Sequence, residues 1–383
     1  MNQKELGELR RRFRPERCAV SRVYGCYVNG SSREIISYLD ASLGMMPQEE
    51  AEKFLGLLKK ALSGNLGRQL TDVVFSTEQV ADSEEHRLLS TLRDSELKDS
   101  AARENFYQKV MDALDLDGAN YIILLAHDAY DVPHKNKNDE TDGSEEVFSY
   151  ILCAVCPVKD CKMELGYFPG ENEFHSCAAG QVIGAPELGF LFPAFDNRAA
   201  NIYNALLYSR KPDQMHHEFI DAIFRTEPPM SPAEQKEAFQ NVLTGALETC
   251  SLEVLQAVHG GLLSKVEAHK ERKDPEPLAV TAKDVEDILT DCGVTEEQSQ
   301  AFAAQWEEAF GPAAMNPENL VDCKRFDLKT GQASVSLEPD ASAMVETRFI
   351  NGRPFLLIPI QEGLEVNGIP VEYLSKNEDA PES

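Results

Sequence analysis

Four titratable residues crowd the place where an apolar run gives way to charge: His127, Asp128, Asp131 and His134 in AHDAYDVPH. The end of a strand suits chemistry, because a rigid element there holds side chains that solvent or a substrate can reach. An imidazole beside a carboxylate can work as general base and orienter, or the two can be metal ligands. Alternation along a strand sets Asp128 on the face opposite His127 and lets His127 and Asp131 share one. His127, Asp128 and Asp131 are therefore the candidate catalytic set. The competing reading is a strand-terminal histidine hydrogen-bonded to its neighbours.

Cys153, Cys156, Cys161 and Cys177, with His175 nearby, have the outline of a zinc site. Residues three apart in a strand point to opposite faces, and no second CxxC completes a set of four. The expectation is packing cysteines, with no metal and no cofactor.

Asp196, Asn197, Arg198 and Asn201 follow the apolar run LGFLFPAF. Asp and Asn favour tight bends because their side chains bond local backbone. Arg198 is suited either to clamping a carboxylate or phosphate or to pairing with Asp196, and the structural pair is the reading taken.

The last chemical feature is basic. Between Met1 and Arg22, one lysine and six arginines stand against three glutamates, in a chain whose formal net charge is -28. Arg10, Arg11, Arg12 and Arg14 either dock on the acidic body or reach outward to nucleic acid or an acidic partner.

The whole composition narrows these options. At 383 residues, with 42% hydrophobic and 27% charged residues, the chain can bury two or three cores. Its negative charge repels polyanions, so the basic arm is the one route to nucleic acid. No apolar run approaches the roughly 18 to 20 residues that span a bilayer. No hydrophobic segment follows the basic N-terminus as in a signal peptide. Nine cysteines, an odd number in a chain too large to need staples, read as thiols of a reducing compartment, and the expected place is the cytoplasm.

Periodicity then supplies the elements. KELGELRRRFRPE spaces Leu6, Leu9 and Phe13 as a helix and stops at Pro15. RVYGCYVNG and REIISYL alternate around Asn29-Gly30, a pair that supplies the positive φ of a hairpin turn. PQEEAEKFLGLLKKALSG and SAARENFYQKVMDAL read as amphipathic helices expected to cover one face of a sheet. ANYIILLAHDAYDV and VFSYILCAVCPV are the strongest strand signals, joined through HKNKNDETDGSEE as a hairpin with a mobile tip. Ser231-Pro232-Ala233-Glu234 opens a helix as a capping box.

Thr281 and Thr295 open two further helices that resemble a helix-turn-helix, but Lys283 is their one basic residue, so a packed helical hairpin is expected. Hairpins around Asn351-Gly352 and Asn367-Gly368 close the chain. The resulting fold class is α+β: a mainly antiparallel sheet with helices packed on it, a helical middle and a C-terminal hairpin region. The expected divisions are a basic helix at 1–17, a sheet domain at 18–212, helices at 213–269, a linker at 270–280, a helical hairpin with β-hairpins at 281–374 and a disordered tail at 375–383.

ELRRRFRPE followed by GCYVN, then MMPQEEAEKFLGLLKKALSG, HDAYDVP, FPAFDNRAANIYNALLYS and MSPAEQKEAFQNVL, occur in one order along the chain. Together they resemble the domain-of-unknown-function family 4317 of Firmicutes, a likeness that implies no activity. A fainter likeness in element order is to nucleoid-associated NdpA-like proteins, which transfers function poorly. With no phosphate loop, nucleophile elbow or paired metal motif, the expected function is non-enzymatic. That function is a binding or assembly protein for a macromolecular partner, and the alternative is an enzyme or small-ligand protein using the His/Asp site.

Overall fold

The computed structural model describes residues 1–14, 19–135, 141–161, 165–176, 180–247, 250–360, 363–366 and 368–371. The chain divides into two compact units, Met1–Glu237 with Arg272–Ala279, and Ala238–Glu271 with Val280–Ser383. The tail expected at 375–383 lies outside the described residues.

In the first unit α1 (Gln3–Arg12) precedes a hairpin of β1 (Arg22–Asn29) and β2 (Glu34–Ser42). Helix α2 (Gln48–Lys60) leads to β3 (Leu70–Val74), and α3 (Thr77–Asp82), α4 (Glu84–Asp94) and α5 (Ser100–Ala113) lead to the long pair β4 (Tyr121–Lys135) and β5 (Thr141–Asp160). Then come β6 (Leu165–Phe168), β7 (Glu173–Ser176), β8 (Gln181–Ile183), β9 (Leu188–Phe192), β10 (Ala194–Asp196), β11 (Ala199–Asn201), β12 (Asn204–Ser209) and α6 (His217–Phe224). The main sheet has the order β2-β1-β4-β5-β9-β12-β3, with β8 paired to the far end of β5. Its pairings are antiparallel, so the chain is α+β.

The sheet is covered on both faces, not one. Leu89, Leu92, Phe106, Val110, Phe219 and Phe224 bring α4, α5 and α6 onto one face, beside Ile123, Leu125, Cys153 and Phe190. Leu6, Leu9, Leu55 and Leu58 bring α1 and α2 onto the other, beside Leu124, Tyr150, Leu152 and Leu191. Burial on both sides explains why β4, β5 and β9 read as unbroken apolar runs instead of alternating ones. Gly189 sits where β9 presses on β5: a Cβ there would lie 2.3 Å from the Cys153 carbonyl oxygen.

Two local expectations change. In the first hairpin the positive φ falls on Arg33, not on Asn29-Gly30. Asn29 instead accepts bonds from the Ser31 and Ser32 amides, and Gly30 leaves room for the Ala119 carbonyl, 2.1 Å from where a Cβ would stand. In the central hairpin the strands continue to Lys135 and resume at Thr141, into the polar stretch read as a tip. Pairing needs only backbone groups, so a strand can outrun its apolar face. Residues 136–140 lie outside the described residues.

Helix α7 (Pro232–Ala246) opens with the expected box: Glu234 N–H donates to Ser231 Oγ at 3.2 Å, and Ser231 N–H to Glu234 Oε2 at 2.7 Å. The second unit holds α8 (Leu252–Arg272), α9 (Ala282–Asp291), α10 (Glu296–Phe310) and α11 (Pro317–Leu320). Helix α8 runs through the residues at which the linker was expected to begin. Helices α9 and α10 turn at Gly293, whose φ is +78°, and Trp306 packs between Phe302, Phe310 and Phe239.

Three separate hairpins follow: β13 (Phe326–Lys329) with β14 (Ser334–Leu337), β15 (Glu346–Ile350) with β16 (Arg353–Leu357), and β17 (Leu364–Val366) with β18 (Ile369–Val371). Asn367, expected in the last turn, lies outside the described residues. Among the described residues no helix is long and apolar enough to cross a membrane.

Candidate functional site

The arginine-rich helix is folded onto the body. Asn2 caps α1 by accepting from the Lys4 and Glu5 amides, and Glu5 returns a bond to the Asn2 amide at 2.8 Å. Leu6, Leu9 and Phe13 point into the sheet and are buried, each worth roughly 1.5–3 kcal/mol. Glu5, Glu8 and Arg12, spaced three and four apart, form a polar flank of the same face.

That flank meets a buried carboxylate. Arg12 Nε donates to Asp128 Oδ2 at 2.8 Å and Nη2 to Oδ1 at 2.9 Å, with a third bond to the Ala129 carbonyl at 3.1 Å. The Tyr150 hydroxyl donates to the same Oδ2 at 2.7 Å. The guanidinium also lies 4.4 Å from the centre of the Tyr130 ring. Burial opposes the Arg12 charge, but the bonds and proximity of Asp128 outweigh it and raise the guanidinium pKa.

The network continues through Tyr130, which donates to Glu8, and Glu8 is bound by Arg198 Nη1 at 3.0 Å. Asp128 is 1% exposed with both oxygens engaged, so in this arrangement it holds the helix and has no surface for a substrate.

The sequence-derived sets separate accordingly. Asp128 sits on the face carrying α1, whereas His127 points to the opposite face and its Nε2 meets Ser149 Oγ at 2.8 Å. Asp131 is exposed. Arg198 lies with α1, so His127, Asp131 and Arg198 do not converge on one pocket. The partner of Arg198 is Glu8, not Asp196, because the turn at Asn197 and Arg198, both at positive φ, turns its side chain toward the helix. Asp196 instead accepts from Asn201 at 3.3 Å and pairs with the Met1 amino group.

Of the basic arm, Arg10 is used on the Leu62 and Gly64 carbonyls at 2.6 and 2.8 Å, and Arg12 on Asp128. Arg11 and Arg14 are exposed. The signal for docking was the pairing of Glu5 and Glu8 with Arg12 along one helical flank, which a count of net charge hides.

Cys153 and Cys156 are buried on opposite faces of the sheet, and burial holds the Cys153 thiol well above its ordinary pKa and raises Cys156 to about 12. His175 is exposed and pairs with Glu171 at 3.2 Å. Cys177 lies outside the described residues. Among the described residues no three of His, Cys, Asp and Glu gather as metal ligands.

Two further places were not foreseen. A cleft of about 490 Å³ at one end of the sheet is lined by Lys159, Arg210, Lys211, His216 and His217, with Asp115, Asp117, Glu187, Asp213 and Glu218. His216 precedes α6 at φ 50°, ψ 60°, a left-handed conformation uncommon outside glycine though adopted by histidine more than by most residues. Its Nε2 is buried without a hydrogen-bond partner, and burial lowers its pKa. Glu187 lies between Arg210 and Lys211 at 3.5 and 3.8 Å. Carboxylates match or outnumber the cations, so the cleft has no net field for an anion.

The second place is apolar. Along the two C-terminal hairpins Phe349 is 79% exposed, Ile369 66% and Val366 50%, with Ile350, Phe355 and Ile360 also exposed. Strand β15 is held at its base, where Val345 is buried and Gln256 Nε2 donates to the Ser342 and Val345 carbonyls at 2.5 and 2.9 Å, and at Thr347, whose side chain bonds Glu253.

A family model described as Domain of unknown function (DUF4317) matches residues 1–369. No curated protein and no solved structure matches the chain. Matched over nearly its entire length, the chain belongs to the DUF4317 family.

Proposed function

We propose that this chain is a non-enzymatic binding or assembly protein of the cytosol that recognises a macromolecular partner through its C-terminal hairpins. One observation carries the reading: large apolar side chains stand in solvent along two hairpins that, among the described residues, pair only within themselves. Contiguous apolar surface beyond a few hundred Å² marks an interaction site, and an isolated two-stranded hairpin is marginal until something covers it. The free thiols of Cys26, Cys153, Cys156, Cys161, Cys250 and Cys292 suit a reducing compartment.

The basic arm gives a nucleic-acid reading less support, since Arg10 and Arg12 are engaged by the body and leave Arg11 and Arg14 outward. An enzyme built on His127, Asp128 and Asp131 also has less support, because the strand aims the first two to opposite faces. The test is recovery of partners from native extract by the tagged chain, the Phe349→Asp/Ile369→Asp variant and the Arg11→Gln/Arg14→Gln variant. The hairpin variant should lose a stoichiometric partner that the arginine variant keeps. Equal recovery by all three would refute the reading.

A further inference from the structure

We infer that the open edge of β2 and the stripe of α5 beside it form a groove for an extended peptide that carries basic side chains. This goes beyond the hairpin reading and does not rest on it. Strand β2 ends the order of the main sheet and, among the described residues, pairs with β1 alone. Its bulge falls at Ile36, near the turn, so from Ser37 to Ser42 the register with β1 is regular. Alternate residues of that run turn their N–H and C=O away from β1, and among the described residues no backbone group takes them up. Exposed edges are commonly blunted by lysine or proline, and EIISYLDAS has neither.

Helix α5 supplies the second wall. Arg103, Glu104 and Tyr107, then Gln108 and Met111, recur three and four apart and share one side of the helix. With β2 they bound two hollows of about 210 and 500 Å³ that meet at Tyr38. Tyr38 is 62% exposed, with its ring centre 6.2 Å from that of Tyr107, and Ile36 stands in the larger hollow. An open edge flanked by hollows is the arrangement that binds extended peptides: main-chain bonds to the edge give affinity, and places for alternate side chains give specificity.

Charge sets the kind of side chain. The arginines at the groove are already used: Arg33 pairs with Asp115 at 3.4 Å, and Arg103 donates to the Leu97 carbonyl and lies 4.2 Å from the centre of the Tyr24 ring. Asp40 is answered by Arg22 at 2.7 Å. Glu34 in the larger hollow and Glu104 in the smaller pair with no cation among the described residues. A lysine or arginine of the peptide would find one of these carboxylates with the exposed ring of Tyr38 beside it. A chain of net charge -28 also draws a basic segment and repels a second copy of itself.

The probe is a phage-displayed library of random peptides of about ten residues, the length of a long strand, panned against the full chain. Enriched peptides are then synthesised and titrated by fluorescence anisotropy. They should carry Lys or Arg at every second position. Glu34→Lys/Glu104→Lys and Tyr38→Ser should each weaken binding by about tenfold while leaving Tm nearly unchanged, since these side chains are exposed. Methylating the amides of alternate peptide residues removes the N–H groups facing β2 in one phase and those facing solvent in the other. One phase should lose about tenfold or more, and the other should bind as before.

A library that yields no peptide binding more tightly than about 100 μM would overturn the inference. So would acidic enriched peptides, equal binding by the groove variants and the wild type, or two methylated phases that bind alike. Phe349→Asp/Ile369→Asp, outside the groove, should bind the peptide as the wild type does. Loss on that variant with full binding by the groove variants would put the peptide on the hairpins and refute the groove, leaving the hairpin reading in place.

Discussion

Replacing Arg12 by methionine should be among the most damaging single substitutions on the N-terminal helix. The methionine keeps most of the aliphatic stem, so the loss is chiefly that of the guanidinium. Among the described residues Asp128, 1% exposed, would then keep one donor, the Tyr150 hydroxyl, for a carboxylate that now has two charged bonds from Arg12. Removing one partner of a buried ion pair costs about 3–5 kcal/mol, because the other charge stays behind. The lost bond to Ala129 and the lost stacking on Tyr130 are each worth about 1 kcal/mol, but they share the same side chain and do not simply add.

The expected loss is therefore about 4 kcal/mol, and at about 2–4 °C per kcal/mol for a unit of this size Tm should fall by roughly 10 °C. Denaturant titration and calorimetry measure it, with Arg11→Met, on the exposed side, as control. The triple variant Arg12→Met/Asp128→Leu/Tyr150→Phe should recover most of the loss, since no unpaired charge or hydroxyl then remains. A loss below about 1 kcal/mol for Arg12→Met, the range of an exposed pair, would refute the docked helix.

Other outcomes follow from the same geometry. Gly189→Ala should destabilise the first unit by about 2 kcal/mol or more in denaturant titration, since its Cβ would meet backbone and not a movable side chain. His127 and His216 are both held below the ordinary imidazole range by burial. On acidification the unfolded chain therefore takes up protons first. Their stabilisation is complete above about pH 6.5 and is lost as pH falls from there through the folded values, so Tm should drop between pH 7 and pH 5, and His127→Gln/His216→Asn should flatten that slope. With a disulfide-exchange reagent at pH 8, Cys161 should react at once, whereas Cys26, Cys153 and Cys156, buried and with raised pKa, should react only on unfolding.

Much of the fold was legible because long periodic segments constrain themselves. The 3.6 spacing of Leu6, Leu9 and Phe13, the box at Ser231 and Glu234, and the apolar runs of β4 and β5 each specify an element locally. Which faces those elements cover is a tertiary matter. The unbroken apolar runs were the available sign of a sheet covered on both sides, and the helix count alone did not show it.

The site was less legible. Strand alternation correctly separated His127 from Asp128, but Arg12 meets Asp128 across 116 positions, and nothing local marks that partnership. Arg198 was placed with its neighbour Asp196 because sequence distance was the only distance to hand, while the turn at positive φ carries it to Glu8. The hairpin surface was hidden for the opposite reason. Apolar strands normally imply a core, so exposure at Phe349 and Ile369 becomes visible only once the strands are seen to lack a covering layer.

The most direct measurement of the central claim is the native mass of the chain in fresh extract, by size-exclusion chromatography with light scattering on wild type and Phe349→Asp/Ile369→Asp in parallel. Wild type should travel in an assembly well above 42.6 kDa and the variant at that monomer mass. Both travelling at 42.6 kDa, or both in the same larger assembly, would contradict a function carried by the hairpins.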